Sequence, residues 1–134
     1  MREILFRGKR LDNGIWITGA YHPGGGRHFI FPLALATDTS RIKVVPETVG
    51  QFTGKQDKTG RKIFEGDILR VIERGETLVG DVVFNTDRGE WVVQGEDGSF
   101  CNMAKRKDVE IIGNIHDKPE LLKEGDTDGK ERTE

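Results

Sequence analysis

A single cysteine, Cys101, in 134 residues excludes a disulfide framework, and one thiol cannot by itself build a cysteine-based zinc site. No stretch approaches the roughly 18 consecutive apolar residues of a membrane-spanning helix. The opening Met1-Arg2-Glu3-Ile4 has neither the apolar core nor the small-residue cleavage site of a signal peptide. These absences lead to the expectation of a cytoplasmic protein. Alanine is scarce at 4 residues, and Ala, Leu and Met together number 14 against 31 for Val, Ile and Thr. Helices favour the first set, whereas β-branched side chains pack well on a pleated sheet, so the chain reads as mainly β. Net charge is nearly absent as well: 21 basic against 23 acidic residues leave −2. That balance argues against general DNA binding driven by phosphate contacts, which calls for a strongly basic domain.

What the chain does have is glycine, 18 residues of it, and 36 Leu, Ile, Val and Phe, enough apolar surface for a core. Glycine supplies the positive φ that tight turns between short strands require. Period-2 alternation predicts strands at residues 4–6 and 15–18, joined by an Asn13-Gly14 hairpin, then at 28–31, 42–45, 49–52, 68–73, 78–84, 91–93, 99–101 and 109–115. Pro23-Gly24-Gly25-Gly26 reads as a flexible loop, Thr37 to Ser40 as a polar break, and Asp117 to Leu122 as a short closing helix with proline near its start. A single domain over 1–122 is expected, followed by a charged, disordered tail over 123–134 that carries three basic and five acidic residues. The tail accounts for the whole net charge. Residues 1–62 hold 11 basic and 5 acidic side chains, and residues 63–122 hold 7 and 13.

Candidate sites are sparse. Glu124, Asp126, Asp128 and Gly129 match the start of a calcium loop, but its twelfth ligand would fall past Glu134. Gly24-Gly25-Gly26-Arg27 lacks the helix that follows a phosphate-binding loop. His22, His28 and His116 are scattered, and no motif pairs Cys101 with any of them. No cofactor site is expected. Glu65 and Asp67 flank Gly66 and would share one face of an extended chain, which allows metal-assisted phosphodiester chemistry as an alternative to a simple turn. Arg7, Lys9 and Arg10 near Trp16 and Tyr21, and Lys105-Arg106-Lys107 near Phe100, are the places where cations interleave with aromatics. Lys55, Lys58, Arg61 and Lys62 crowd one loop, the best candidate for a partner contact. The expected role is a non-enzymatic binding or regulatory module for a protein or nucleic-acid partner, with self-assembly through sheet edges as a further alternative.

A pattern on a larger scale sits around this loop. Gly66-Asp67 feeding a strand, Gly75 reversing it and Gly80 bending the return strand are similar to a small five-stranded SH3-like barrel. Gln51-Phe52-Thr53-Gly54, then Asp57-Lys58-Thr59-Gly60-Arg61-Lys62-Ile63-Phe64-Glu65-Gly66-Asp67-Ile68, resembles the signature of the YopX family of phage and prophage proteins. Met1 to Lys9, Asn13-Gly14 before Trp16, and Ile112-Gly113-Asn114-Ile115 with Asp117 to Leu122 are similar to it too. Lys55, Thr59 and His116 depart from it. The resemblance implies a mainly β fold with an SH3-like barrel and extra strands, encoded in mobile elements. It implies no catalytic residue. Phe52, Gly54, Asp57, Gly60, Phe64, Gly66 and Asp67 read as turn and plug residues that specify the fold.

Overall fold

The β-branched, glycine-punctuated sequence folds into antiparallel strands throughout. The computed structural model describes residues 3–32, 41–73, 75–98, 100–103 and 108–122, which divide between two compact units, Met1–Gly54 and Lys55–Glu134. The predicted tail over 123–134, the Thr37 to Ser40 break and Lys105 to Lys107 lie outside the described residues.

The first unit contains β1 (Phe6–Lys9), β2 (Trp16–Gly24), β3 (Arg27–Pro32), β4 (Ile42–Lys43) and β5 (Gly50–Gln56), whose last two residues pass into the second unit. Its strands lie in the order β4-β3-β2-β1-β5. The β1–β2 connection is longer than the expected Asn-Gly turn, because pairing stops at Lys9↔Trp16. Arg10 N–H donates to the Ile15 carbonyl at 2.9 Å, and Asn13 Oδ1 accepts from Ile15 N–H at 2.9 Å, so Asn13 shapes a wider loop. The expected flexible loop at Pro23 to Gly26 is instead a tight hairpin. Pairing continues to Gly24↔Arg27, and Gly25 and Gly26 take φ of 60° and 76°, the two positive values that a two-residue turn needs. Pro23 is tolerated in β2 because it lies beyond the Trp16 to Gly19 stretch that β1 pairs. Leu5, Phe29, Ile30, Val44 and Phe52 are buried in this unit.

The second unit contains β6 (Lys62–Phe64), β7 (Asp67–Glu73), β8 (Glu76–Asn85), β9 (Glu90–Gly95), β10 (Phe100–Asn102) and β11 (Val109–Asn114). Strands β7 to β10 form a meander, and β11 returns to pair with β7, giving the order β10-β9-β8-β7-β11. Ile63, Leu69, Val71, Val82, Val93, Met103, Val109 and Ile111 form its core, with Leu78, Trp91 and Cys101 packed against them. Among the described residues this sheet does not close: β10, only three residues long, pairs with β9, and β11 with β7. The described strands thus form two antiparallel sheets, and the mainly β expectation holds. A correction concerns β11. Val109 and Ile111 alternate inward as expected, but the register shifts between Ile111 and Gly113, and Ile115 leaves the strand and donates its N–H to the Gly66 carbonyl at 2.9 Å. The closing helix is a single turn at residues 120–122.

Candidate functional site

The turn after β5 is built around one carboxylate. Asp57 is buried, and its Oδ1 accepts hydrogen bonds from Thr59 N–H at 2.9 Å, Thr59 Oγ1–H at 2.7 Å and Arg61 N–H at 3.0 Å. Its Oδ2 accepts from Ile111 N–H on β11 at 3.1 Å, and Lys58 N–H donates to the Val109 carbonyl at 2.9 Å. Gly60 closes the turn with φ of 92°, a conformation that favours glycine. Burial pushes the Asp57 carboxyl up, but hydrogen bonds from the Thr59 side chain and from the Ile111, Arg61 and Thr59 amides outweigh it and hold the group down at about 2. The aspartate of the sequence motif thus fastens the turn to a strand 54 residues away.

Lys58 and Arg61 on this fastened turn, and Lys55 and Lys62 on the strands that flank it, are all exposed. Lys58 Nζ lies 3.9 Å from Glu110, whose carboxylate is shared with Arg70 at 3.0 Å. These pairs are solvent-exposed and contribute little to stability, about 0–1 kcal/mol each, but they orient Lys58. Glu110 and Arg70, opposite each other on β11 and β7, carried no signal in the sequence. The tied backbone of the turn thus carries exposed positive charge.

Glu65 and Asp67 are not presented as a pair. Glu65 is exposed in the turn between β6 and β7, whereas Asp67 is only 2% exposed, and its Oδ2 accepts from Phe64 N–H at 2.8 Å. Gly66, with φ of 92°, donates to the Val82 carbonyl. This is the geometry of a turn device. Among the described residues no three His, Cys, Asp or Glu side chains are grouped to hold a metal ion.

The basic–aromatic cluster of the first unit splits between the two faces of its sheet. Arg7 and Lys9 lie over the Trp16 ring, at 4.6 and 5.5 Å from its centroid, so that ring is already capped by cations. Tyr21 instead packs with Phe6 and His28, and its hydroxyl meets His28 Nδ1 at 2.5 Å. His22 rests edge-on against Phe31, and Arg10 is forked onto Asp12 at 2.8 and 3.0 Å. Phe52 and Phe64 are buried, and Gly54 takes φ of 89°.

Asp81 is a group the sequence reading missed. It lies mid-strand on β8 and is half-buried, and burial pushes its carboxyl up against the opposing effect of its own amide. A carboxyl raised in the folded state disfavours folding once the pH rises past the unfolded value, since only the unfolded chain ionises it freely. Asp81→Asn is therefore expected to raise the thermal midpoint at pH 7, with the gain fading toward pH 3; parallel melts of the two proteins across that range check it.

No curated protein matches the chain. Among solved structures it resembles the crystal structure of protein EF1440 from Enterococcus faecalis, at 22% identity and a TM-score of 0.56, over 91% of this chain and 99% of that one. At that identity the likeness speaks for the fold alone. The YopX protein family matches residues 30–123, a span that takes in the Asp57 turn, the Gly66-Asp67 turn and β7 to β11. That span exceeds half of the sequence, and the chain belongs to the YopX family.

Proposed function

We propose that this chain is a non-enzymatic binding module whose contact surface is the basic turn at Lys55, Lys58, Arg61 and Lys62, and whose partner is polyanionic. The observation that carries the reading is that the buried Asp57 pins the turn bearing the exposed Lys58 and Arg61, with Lys55 and Lys62 exposed at the ends of the strands that flank it. A preorganised loop loses little conformational entropy on binding, so its charges act with less opposing cost than they would on a mobile segment. An SH3-like arrangement of β7 to β11 is part of the proposal; the return of β11 beside β7 supports it, and such scaffolds serve many kinds of binding. The YopX resemblance adds a phage or prophage origin to the proposal, and a cytoplasmic setting is part of it on the sequence reading above.

Fluorescence anisotropy with a labelled single-stranded oligonucleotide and with an acidic peptide tests it. Lys58→Glu with Arg61→Glu is expected to weaken binding at least about tenfold. For an oligonucleotide engaged by four cations the slope of log K on log salt approaches about −3, and the double substitution reduces it by about 1.4. A shallower salt response with the acidic peptide bound more tightly assigns a protein partner. Unchanged affinity in the double variant removes the turn from the function.

A further inference from the structure

A second set of cations converges in the first unit, from segments far apart in sequence. Leu11 N–H donates to the Lys43 carbonyl at 3.0 Å, Val44 N–H to the His28 carbonyl at 2.9 Å, and Val45 N–H to the Lys9 carbonyl at 2.8 Å. An isolated bridge between Arg10 and Val44 completes the frame. These bonds bring the β1–β2 loop, the start of β3 and the β4 segment together around two adjoining depressions. One, of about 400 Å³, is lined by Arg10, Leu11, Asp12, Arg41, Ile42 and Lys43. The other, of about 250 Å³, adds Arg27, His28, Val44 and Pro46 and shares Leu11 and Lys43 with the first.

Among the described residues the charges that line this cleft are unbalanced. Asp12, the acid in its lining, is occupied by the Arg10 fork, and the same contact holds its carboxyl below the usual range. No carboxylate among the described residues pairs with Arg27, Arg41 or Lys43. Arg41 is held in place, its guanidinium 4.5 Å over the Phe29 ring. His28 is anchored through Nδ1 to the Tyr21 hydroxyl, which leaves Nε2 as its other polar atom. Beside these cations runs apolar surface from Leu11, Ile42 and Pro46, and Leu11 is 60% exposed. Three neighbouring cations suit a group carrying about two negative charges better than one peptide carboxylate, and the apolar wall suits a planar or sugar moiety attached to it.

We propose that the cleft between the β1–β2 loop and β4 is a binding site for a phosphorylated nucleoside unit, with Arg41, Lys43 and Arg27 on the phosphate and Leu11 and Ile42 against the base or sugar. The unit comes either from a free nucleotide or from a nucleic-acid strand, and both present the same chemistry. The site is independent of the basic turn at Lys55 to Lys62.

The test is amide-resolved NMR titration of the full chain with inorganic phosphate, adenosine monophosphate, a single-stranded decanucleotide and hexaglutamate. Adenosine monophosphate is expected to shift the amides of Leu11, His28 and Lys43. Arg41→Gln with Lys43→Gln, two exposed positions, is expected to weaken that binding at least tenfold while the remaining spectrum keeps its dispersion. Lys58→Glu with Arg61→Glu is expected to leave it unchanged. A decanucleotide bound at least tenfold more tightly than the mononucleotide assigns the strand as source, and equal affinities assign the free nucleotide. Phosphate alone binding as well as the nucleotide, hexaglutamate binding better than either, no shifts at millimolar nucleotide, or shifts that survive the Arg41 and Lys43 substitutions would each overturn the proposal.

Discussion

Asp57→Ala is expected to destabilise the protein by about 3–4 kcal/mol, because it strips the acceptor from three backbone amides, of Thr59, Arg61 and Ile111, and from the Thr59 hydroxyl in one step. Asp57→Asn separates shape from charge. Its Oδ1 can keep the Thr59 and Arg61 donors, but an amide nitrogen then faces Ile111 N–H, donor against donor, so a loss of about 2 kcal/mol is expected. The native carboxyl sits at about 2 when its ordinary value is 3.8. Its contribution is therefore fully present above the unfolded value and is lost as pH falls through the folded one, a change of roughly 2 kcal/mol between pH 5 and pH 2. Urea denaturation at pH 7, 4 and 2.5 measures both effects. The wild-type midpoint should fall with acidity more steeply than that of Asp57→Asn; equal pH slopes would mean that the turn is held by something other than this carboxylate.

The same residue shows how far the sequence could be read. Asp57, Gly60, Gly66 and Asp67 stood out because turn chemistry is local: an acceptor two residues from the amide it binds, or a glycine at positive φ, is written within a few positions. The partner of Asp57 Oδ2 is not local, since Ile111 N–H lies 54 residues on and nothing in its spacing announces the bond. Strands were legible for a similar reason, since alternation around Val82 and Val93 follows from two-residue periodicity. The breakdowns came where the backbone departs from that period. The shift between Ile111 and Gly113 takes Ile115 out of the strand, and Gly25-Gly26 makes a two-residue turn where consecutive glycines had suggested slack. The SH3-like barrel was read from the turn glycines Gly66, Gly75 and Gly80, whereas the pairing of sheet edges depends on strand lengths, such as the three residues of β10, that no local pattern sets. Lys55, Lys58, Arg61 and Lys62 were visible as a cluster because they fall within one short stretch of sequence, whereas Arg27, Arg41 and Lys43 are joined only by the β3–β4 register.

Gly80→Ala is expected to be the most damaging single-methyl change in the second unit. Gly80 is buried mid-strand on β8, paired with Leu69 on one side and Gly95 on the other. A Cβ at this position would lie 2.4 Å from the Gln94 carbonyl oxygen and 2.6 Å from its carbon. Backbone cannot rotate away as a side-chain tip can, so β8 and β9 must part, and Val82 and Val93, paired across the same two strands in the core, are pulled apart with them. A loss of about 3 kcal/mol or more follows. Gly75→Ala provides the contrast. Gly75 has φ of 81° with open space around its missing Cβ, so substitution there meets only backbone strain, worth about 1 kcal/mol. Urea midpoints of the two variants at neutral pH distinguish the causes. If they shift equally, conformational strain explains both and the close approach at Gln94 is relieved without separating the strands. If Gly80→Ala shifts the midpoint at least twice as far, the bare backbone at Gly80 is what lets β8 lie against β9 while β7 occupies its other edge, and the sheet that carries β11, and with it the anchor for Asp57, depends on that one missing methyl group.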